Sequence, residues 1–305
     1  MLQKLIVGAL LALPLTGLAQ QKQLLQSGQL LQDVRILSSD SLGGRLTGTP
    51  GSEMARDYIL KRFRQIGLKA YQNNYQQAFT FTDRRGKQQQ GVNLVGYIPG
   101  KSKKTIVITA HYDHVGTQKG EVYNGADDNA SGVGALLAIA QYFSNNPPKH
   151  TLVFVAPDAE EQGLRGADAF LENPPLPIQD IVLNVNMDML SINSKGELYA
   201  SGTYHYPALK PLLTQVKPRK HAALKLGHDD PQQGPDDWTG QSDHFQFHKR
   251  GIPFVYFGVE DHAHYHRHTD EFEQINQPFY ADAAALVLDF IRVADKRLQE
   301  LPTRK

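Results

Sequence analysis

"TLVFVAPDAEEQG", residues 151–163, runs from a short apolar stretch, Thr151 to Val155, straight into Asp158, Glu160 and Glu161. An unbroken apolar run of this length, bounded by Pro and Gly, has the pattern of a strand covered on both faces. Carboxylates crowded at its end repel one another, so something has to hold them there.

The same design recurs on either side. Residues 92–98, 105–109, 181–187 and 252–257 are further short apolar runs. Between them lie helical stretches, among them 130–143, where Val133, Leu136, Leu137, Ala140 and Phe143 share one face. This alternation predicts an α/β fold with helices on both faces of a central sheet. Residues 20–90 read as a mainly helical N-terminal part. Within it "GSEMARDYILKRFRQI", residues 51–66, places Met54, Tyr58, Ile59, Phe63 and Ile66 on one side and stops at Gly67. A last helix is expected from about Pro278 to Leu298.

The first 19 residues differ in kind. Lys4 supplies a positive end, residues 5–18 are almost wholly apolar, and Gly17-Leu18-Ala19 is a small-x-small cleavage pattern. This is the layout of a secretory signal peptide, which predicts an exported protein, periplasmic or extracellular after cleavage. The apolar run is too short for a membrane span, and no later segment reaches spanning length. Lys and Arg number 32 against 31 Asp and Glu, so no basic surplus points to a nucleic acid. There is no cysteine. That excludes disulfides, thiolate ligands and a lipobox anchor, and leaves imidazole and carboxylate to hold any metal.

Ligands of such sheets bind beyond the carboxyl ends of the strands. Those ends carry Ala110-His111-Tyr112-Asp113-His114, Glu160-Glu161, Met187-Asp188-Met189 and His264-Tyr265-His266-Arg267-His268, and "NGADDNASG", residues 124–132, precedes the helix at 130. Singly these are caps, turns or exposed loops. Together they supply one chemistry: zinc accepts imidazole and carboxylate at about 2.0–2.2 Å, and a two-metal site needs a shared carboxylate.

With "HYDH", "NGADDNASG", "APDAEEQGLRGA", "NMD", "QSDHFQFHKRGIPFVYF" and "YHRHTDEFEQIN" in this order, the chain resembles the M28 zinc peptidases, a family of di-zinc aminopeptidases. "SSDSLGGRLTGTPG", residues 38–51, resembles a segment that precedes the catalytic region in bacterial members. The resemblance implies a mixed, mostly parallel sheet between helices, forming one catalytic domain with its di-zinc core over 91–305. It implies two Zn²⁺ bridged by Asp128, with Glu161 and His266 completing one site and His111 and Asp188 the other. Asp113 would accept the second N–H of His111, Tyr265 would donate to the substrate oxyanion, and Glu160, left unligated, would be the general base. His114, His262, His264 and His268 are expected to be exposed or behind the ligands, Asp127 a turn or supporting residue, and Asp158 a turn residue. Asp243 and His244 either support the site or begin a helix capped by Ser242-Asp243. Residues 228–238, "HDDPQQGPDDW", are expected as a solvated loop rather than a calcium site or a rim over the cleft.

The implied activity is removal of N-terminal residues from peptides or proteins. A single-zinc glutaminyl cyclase shares the fold and much of the ligand set. Against it, Tyr265 stands where cyclases typically have tryptophan, and their additional acidic partner is not placed. A carboxypeptidase variant is a further alternative within the family. A non-enzymatic receptor ectodomain on this fold would be expected to have lost ligands, whereas all five ligand positions and the base are present.

Overall fold

The structure, a computed structural model, describes residues 25–71, 73–83 and 85–298. Residues 1–19, whose order of residues resembles a signal peptide, lie outside them. Nine strands form one sheet: β1 (Lys69–Ala70), β2 (Gln76–Thr82), β3 (Gln88–Ile98), β4 (Ser102–Thr109), β5 (His150–Ala156), β6 (Ile181–Met187), β7 (Glu197–Ser201), β8 (Ala223–Leu226) and β9 (Phe254–Gly258). Their order is β1-β3-β5-β4-β6-β9-β7-β8, with β2 paired to β3. The run β5-β4-β6-β9 is parallel throughout, and β3 and β7 join it antiparallel on either side.

Besides a single turn at Lys210–Leu213, six helices of the described residues cover it: α1 (Ser27–Leu37), α2 (Pro50–Ile66), α3 (Gly132–Asn145), α4 (Arg165–Glu172), α5 (His244–Lys249) and α6 (Gln277–Arg297). Alternation along the strands decides which helices each face meets. Ile106, Ile108, Leu152, Phe154, Leu183 and Val185 share one core with α1, α2, α3 and α6. Val107, Val153 and Val155 pack on the other side with Phe170 of α4 and Phe247 of α5. Burying nearly continuous Val, Ile and Leu on both faces is what makes these strands read as unbroken apolar runs.

The N-terminal part departs from its helical expectation beyond Ile66. From Lys69 the chain runs as strand, and β2 and β3 form an antiparallel hairpin in register from Gln76↔Leu94 to Thr82↔Gln88. Polar residues on its exposed face, mostly glutamine, hide the two-residue period in the sequence.

Arg45, from the "GGRLTGTPG" segment, is fully buried and ties this part to the strand ends. Its guanidinium donates to the carbonyls of Leu37 (2.5 Å), Tyr112 (2.8 Å), Asn124 (2.5 Å) and Gly125 (3.0 Å). Three of those carbonyls, of Tyr112, Asn124 and Gly125, lie within "HYDH" and "NGADDN". Burial lowers the Arg45 pKa to about 10, opposed by Asp128, Asp270, Asp113 and Glu161, so it stays charged at neutral pH. Gly44 beside it has φ +71°, and a Cβ there would sit 2.5 Å from the carbonyl oxygens of Gly116 and Tyr123. Only glycine admits that approach. Replacing Arg45 with Met strands the carbonyls of Leu37, Tyr112 and Asn124 and leaves that of Gly125 with the Ala130 N–H alone, and we expect a loss of about 3–5 kcal/mol of unfolding free energy, measured by urea denaturation of the full chain.

Candidate metal centre

All the expected site residues but Asp128 lie beyond a strand end. His111 and Asp113 follow β4, Glu160 and Glu161 follow β5, Asp188 follows β6, and Tyr265 and His266 lie on the loop after β9. Asp128 comes from an irregular turn, Ala126–Ser131, that leads into α3. Its main chain is fastened from below: Asp270 accepts from the N–H groups of Asp127 (2.9 Å) and Asp128 (3.0 Å).

The structure brings these side chains into one pit. Nε2 of His111 lies 3.3 Å from Oδ1 of Asp188 and 3.5 Å from Oδ1 of Asp128. The other oxygen of Asp128, Oδ2, faces Nε2 of His266 at 3.1 Å, and that nitrogen is 3.5 Å from Oε2 of Glu161. Asp128 thus presents one oxygen to each histidine.

A metal fits these groups better than hydrogen bonds do. Ligand atoms about 2.0–2.2 Å from one zinc lie about 3.3–3.6 Å apart in a tetrahedron; three of the four separations, 3.3–3.5 Å, match that and are long for hydrogen bonds, while His266 to Asp128, at 3.1 Å, is of hydrogen-bond length. Oδ1 of Asp188 is buried with no hydrogen-bond partner among the described residues, while its Oδ2 accepts from Ser242 Oγ at 2.8 Å. The charge balance points the same way. Burial disfavours an imidazolium at His111, yet Asp188, Glu160 and Asp113 together outweigh it and raise its pKa well above the usual value. Hydrogen bonds to Asp128 and Glu161 push His266 up to about 10. Burial and the neighbouring Glu161 raise Asp128. Protons are being drawn in where positive charge is short.

Supporting groups set the ligand orientations. Nδ1 of His111 faces the main-chain carbonyl of Asp113 at 3.2 Å and the Asp113 carboxylate at 3.7 Å. A proton on Nδ1 leaves the Nε2 lone pair free for a metal. The expected partner was the Asp113 carboxylate, which instead accepts from the N–H groups of Glu160 (3.0 Å) and Glu161 (3.2 Å) and so holds the glutamate turn. His114 is not exposed: it is fully buried, Nδ1 meets Oε1 of Glu161 at 2.8 Å, and it groups with Asp128 and Glu161. A Cβ at Gly125 would stand 2.6 Å from the His114 ring, so glycine is required there as well.

Asp158 is more than a turn residue. It is buried and accepts from Thr47 Oγ1, the Val92 and Ala159 N–H groups and Tyr112 Oη, all within 2.8–3.0 Å. Asp127 joins three loops through His262 Nε2 (2.9 Å), Ser131 and Ser191. His264 bonds Thr269, and His268 is half exposed beside Glu121. Asp243 precedes α5 without capping it; both its carboxylate oxygens are buried with no hydrogen-bond partner among the described residues, and burial raises its pKa to about 7.

Glu160 and Tyr265 border the open side of the pit, a cavity of about 210 Å³ whose further walls are Met189, Trp238, Tyr256 and Val259. Trp238 corrects the expectation of a wholly solvated 228–238 loop. It is buried, stacked on His228 at 3.7 Å, and forms a rim over the cleft. Asp229 is buried too and accepts from the N–H groups of Gly202 and Tyr204. The carboxylate of Glu160 makes no hydrogen bond among the described residues; burial raises its pKa well above normal, with Asp188 and Asp243 adding and His111 opposing. The ring of Tyr265 stacks on His266 at 4.0 Å, and burial with the charges of Asp128 and Asp188 raises its pKa, keeping the phenol protonated.

His244 gives a pH test separate from the ligands. Its ring is fully buried, Nε2 donates to the Trp238 carbonyl (3.0 Å), and burial lowers its pKa to about 3. Between pH 6.5 and 3 the unfolded chain binds the extra proton, so this stability is intact above pH 6.5 and lost as pH falls. At pH 5 the loss is about 2 kcal/mol. We expect His244→Asn to lose less unfolding free energy than the parent between pH 7 and pH 5, as urea titrations at the two pH values will report.

Comparison with known proteins bears on the fold and the family. Aminopeptidase YwaD of Bacillus subtilis is 29% identical over 71% of this chain and 48% of its own length. The alkaline phosphatase isozyme conversion protein of Escherichia coli is 29% identical over 50% of this chain and 48% of its own. The chain thus spans about half the length of these curated relatives. Among solved structures, a zinc aminopeptidase from Bacillus subtilis superposes with a TM-score of 0.71 at 18% identity, covering 89% of this chain and 96% of that one. A Porphyromonas gingivalis glutaminyl cyclase superposes with 0.71 at 17%, covering 88% and 98%. At such identities they share the fold, the mixed sheet with helices on both faces. Residues 93–291, well over half of the chain, match the model of Peptidase family M28, and the chain belongs to that family.

Proposed function

We propose that the protein is an exported aminopeptidase that removes N-terminal residues from peptides with two zinc ions. His111, Asp128 and Asp188 would hold one ion, and Asp128, Glu161 and His266 the other, with His114 steadying Glu161. The observation that carries this reading is Asp128, whose two oxygens face different histidines at 3.5 and 3.1 Å. Bound zinc would supply Lewis acidity toward the scissile carbonyl and the attacking water.

The chain's own groups then divide the remaining work. Glu160 sits beside the ligands without a partner of its own. It takes a proton from the attacking water and returns it to the departing amine, so a group that starts ionised ends ionised. Tyr265, protonated and next to His266, donates to the oxygen that gains negative charge. The 210 Å³ cavity behind them receives the N-terminal side chain against Trp238, Tyr256 and Met189. The adjacency of Glu160 and Glu161 follows, because one carboxylate must face a metal while its neighbour stays free.

Export rests on the charged, apolar and small-residue order of residues 1–19. No described helix is long and apolar enough to cross a membrane.

Purified protein should hydrolyse amino-acid arylamides, lose that activity to a chelator and regain it with zinc. Glu160→Gln should keep about two zinc ions per chain and lose about 10²–10⁴-fold in kcat, whereas Glu161→Ala should lose zinc itself, read by elemental analysis. Full turnover in Glu160→Gln would remove it as the base. One zinc per chain, with cyclisation of a glutaminyl peptide and no amino acid released, would favour the cyclase.

A further inference from the structure

Glu161 borders two cavities. Beyond the 210 Å³ cavity, a second of about 650 Å³ opens from it, walled by the β2–β3 hairpin (Phe81, Gln89), by Thr117 and Gln118, and by Gln162. That volume falls within the range of sites that enclose ligands. We infer that this second cavity is a groove for the polypeptide downstream of the scissile bond, and that the protein acts on extended peptides in preference to dipeptides. The inference rests on the aminopeptidase reading of the metal centre.

The chemistry of the walls selects the occupant. With the N-terminal side chain lodged beside Trp238, a peptide crossing the ligands at Glu161 continues into the larger space. The side-chain amides of Gln118 and Gln162 make no hydrogen bond with any described residue, and Thr117 Oγ1 reaches only the Gly43 carbonyl, at 3.4 Å. Neutral amides and hydroxyls offer both donors and acceptors, the match for a peptide main chain of any sequence. The wall also carries Arg85 and two acids, both already committed: Glu161 is held by His114 and His266, and Asp83 accepts from Gln89 and from the Lys87 and Arg85 N–H groups, which lower its pKa. The buried ring of Phe81 adds an apolar floor.

Calorimetry of the zinc-loaded Glu160→Gln chain, which should bind without cleaving, compares Leu-Gly with a hexapeptide that begins Leu-Gly. The hexapeptide should bind about tenfold tighter, the equivalent of one or two net hydrogen bonds. Adding Gln118→Trp, which fills the groove, should erase the difference, while Gln118→Ala should largely keep it. A hexapeptide that binds no tighter than the dipeptide, or a preference untouched by Gln118→Trp, overturns the groove. Absence of arylamide turnover in the parent protein would strike the aminopeptidase reading alone, because the calorimetric comparison needs no catalysis.

Discussion

The mutual repulsion of six carboxylates sets the terms for this structure. Asp113, Asp128, Glu160, Glu161, Asp188 and Asp243 converge where the parallel strands end, with limited access to water. Ionised groups this close are tolerated only when cations or directed N–H groups face them. The chain answers each differently. Asp113 is spent on two main-chain N–H groups, and Glu161 is held between His114 and His266, whose hydrogen bonds outweigh burial and keep it ionised. Asp188 keeps one oxygen without a partner. What these answers leave over is negative charge with a fixed shape, which is the definition of a cation site.

Around this deficit the frame is main chain rather than side-chain packing. Arg45 collects carbonyls from the end of α1 and from the two loops that carry His111 and Asp128, and Asp270 collects the N–H groups of the Asp128 turn. One buried cation and one buried anion therefore fasten the same turn from its two polarities. Asp158 does likewise for the glutamate turn, linking it to Thr47 and to β3. Ligand positions set by such fastenings do not depend on long flexible side chains, so the cost of organising them falls on folding and not on binding.

The strand ends were legible because two signals coincide in them, an apolar run with strand length and a change to metal-ligating residue types at its end. Glu161 and Asp188 stand out on that basis, whereas Asp128, in a turn before α3, was picked out by the resemblance carried by "NGADDNASG". The place of His114 was not legible, since "HYDH" holds two histidines and only side-chain direction separates one over the metal pit from one behind Glu161. Asp158 and Arg45 take their roles from partners 46 to 111 positions away, which no local pattern encodes. The β2–β3 hairpin escaped because its outward face is written in glutamine and threonine, residues that suit a solvated surface of any kind. Trp238 was hidden among aspartates and prolines that dominate the composition of its loop.

Arg45 also bears on when the site comes into being. The ligands run from His111 to His266, their fastenings from Arg45 to Asp270, and α6 covers the core last. Contacts between such distant parts form late in folding. A chain that leaves the cytoplasm unfolded would carry no high-affinity centre while in transit. If the proposed export and zinc dependence hold, it would take its metal from the compartment where it finishes folding, so that the supply of zinc there, and not in the cytoplasm, would decide how much of the protein becomes active.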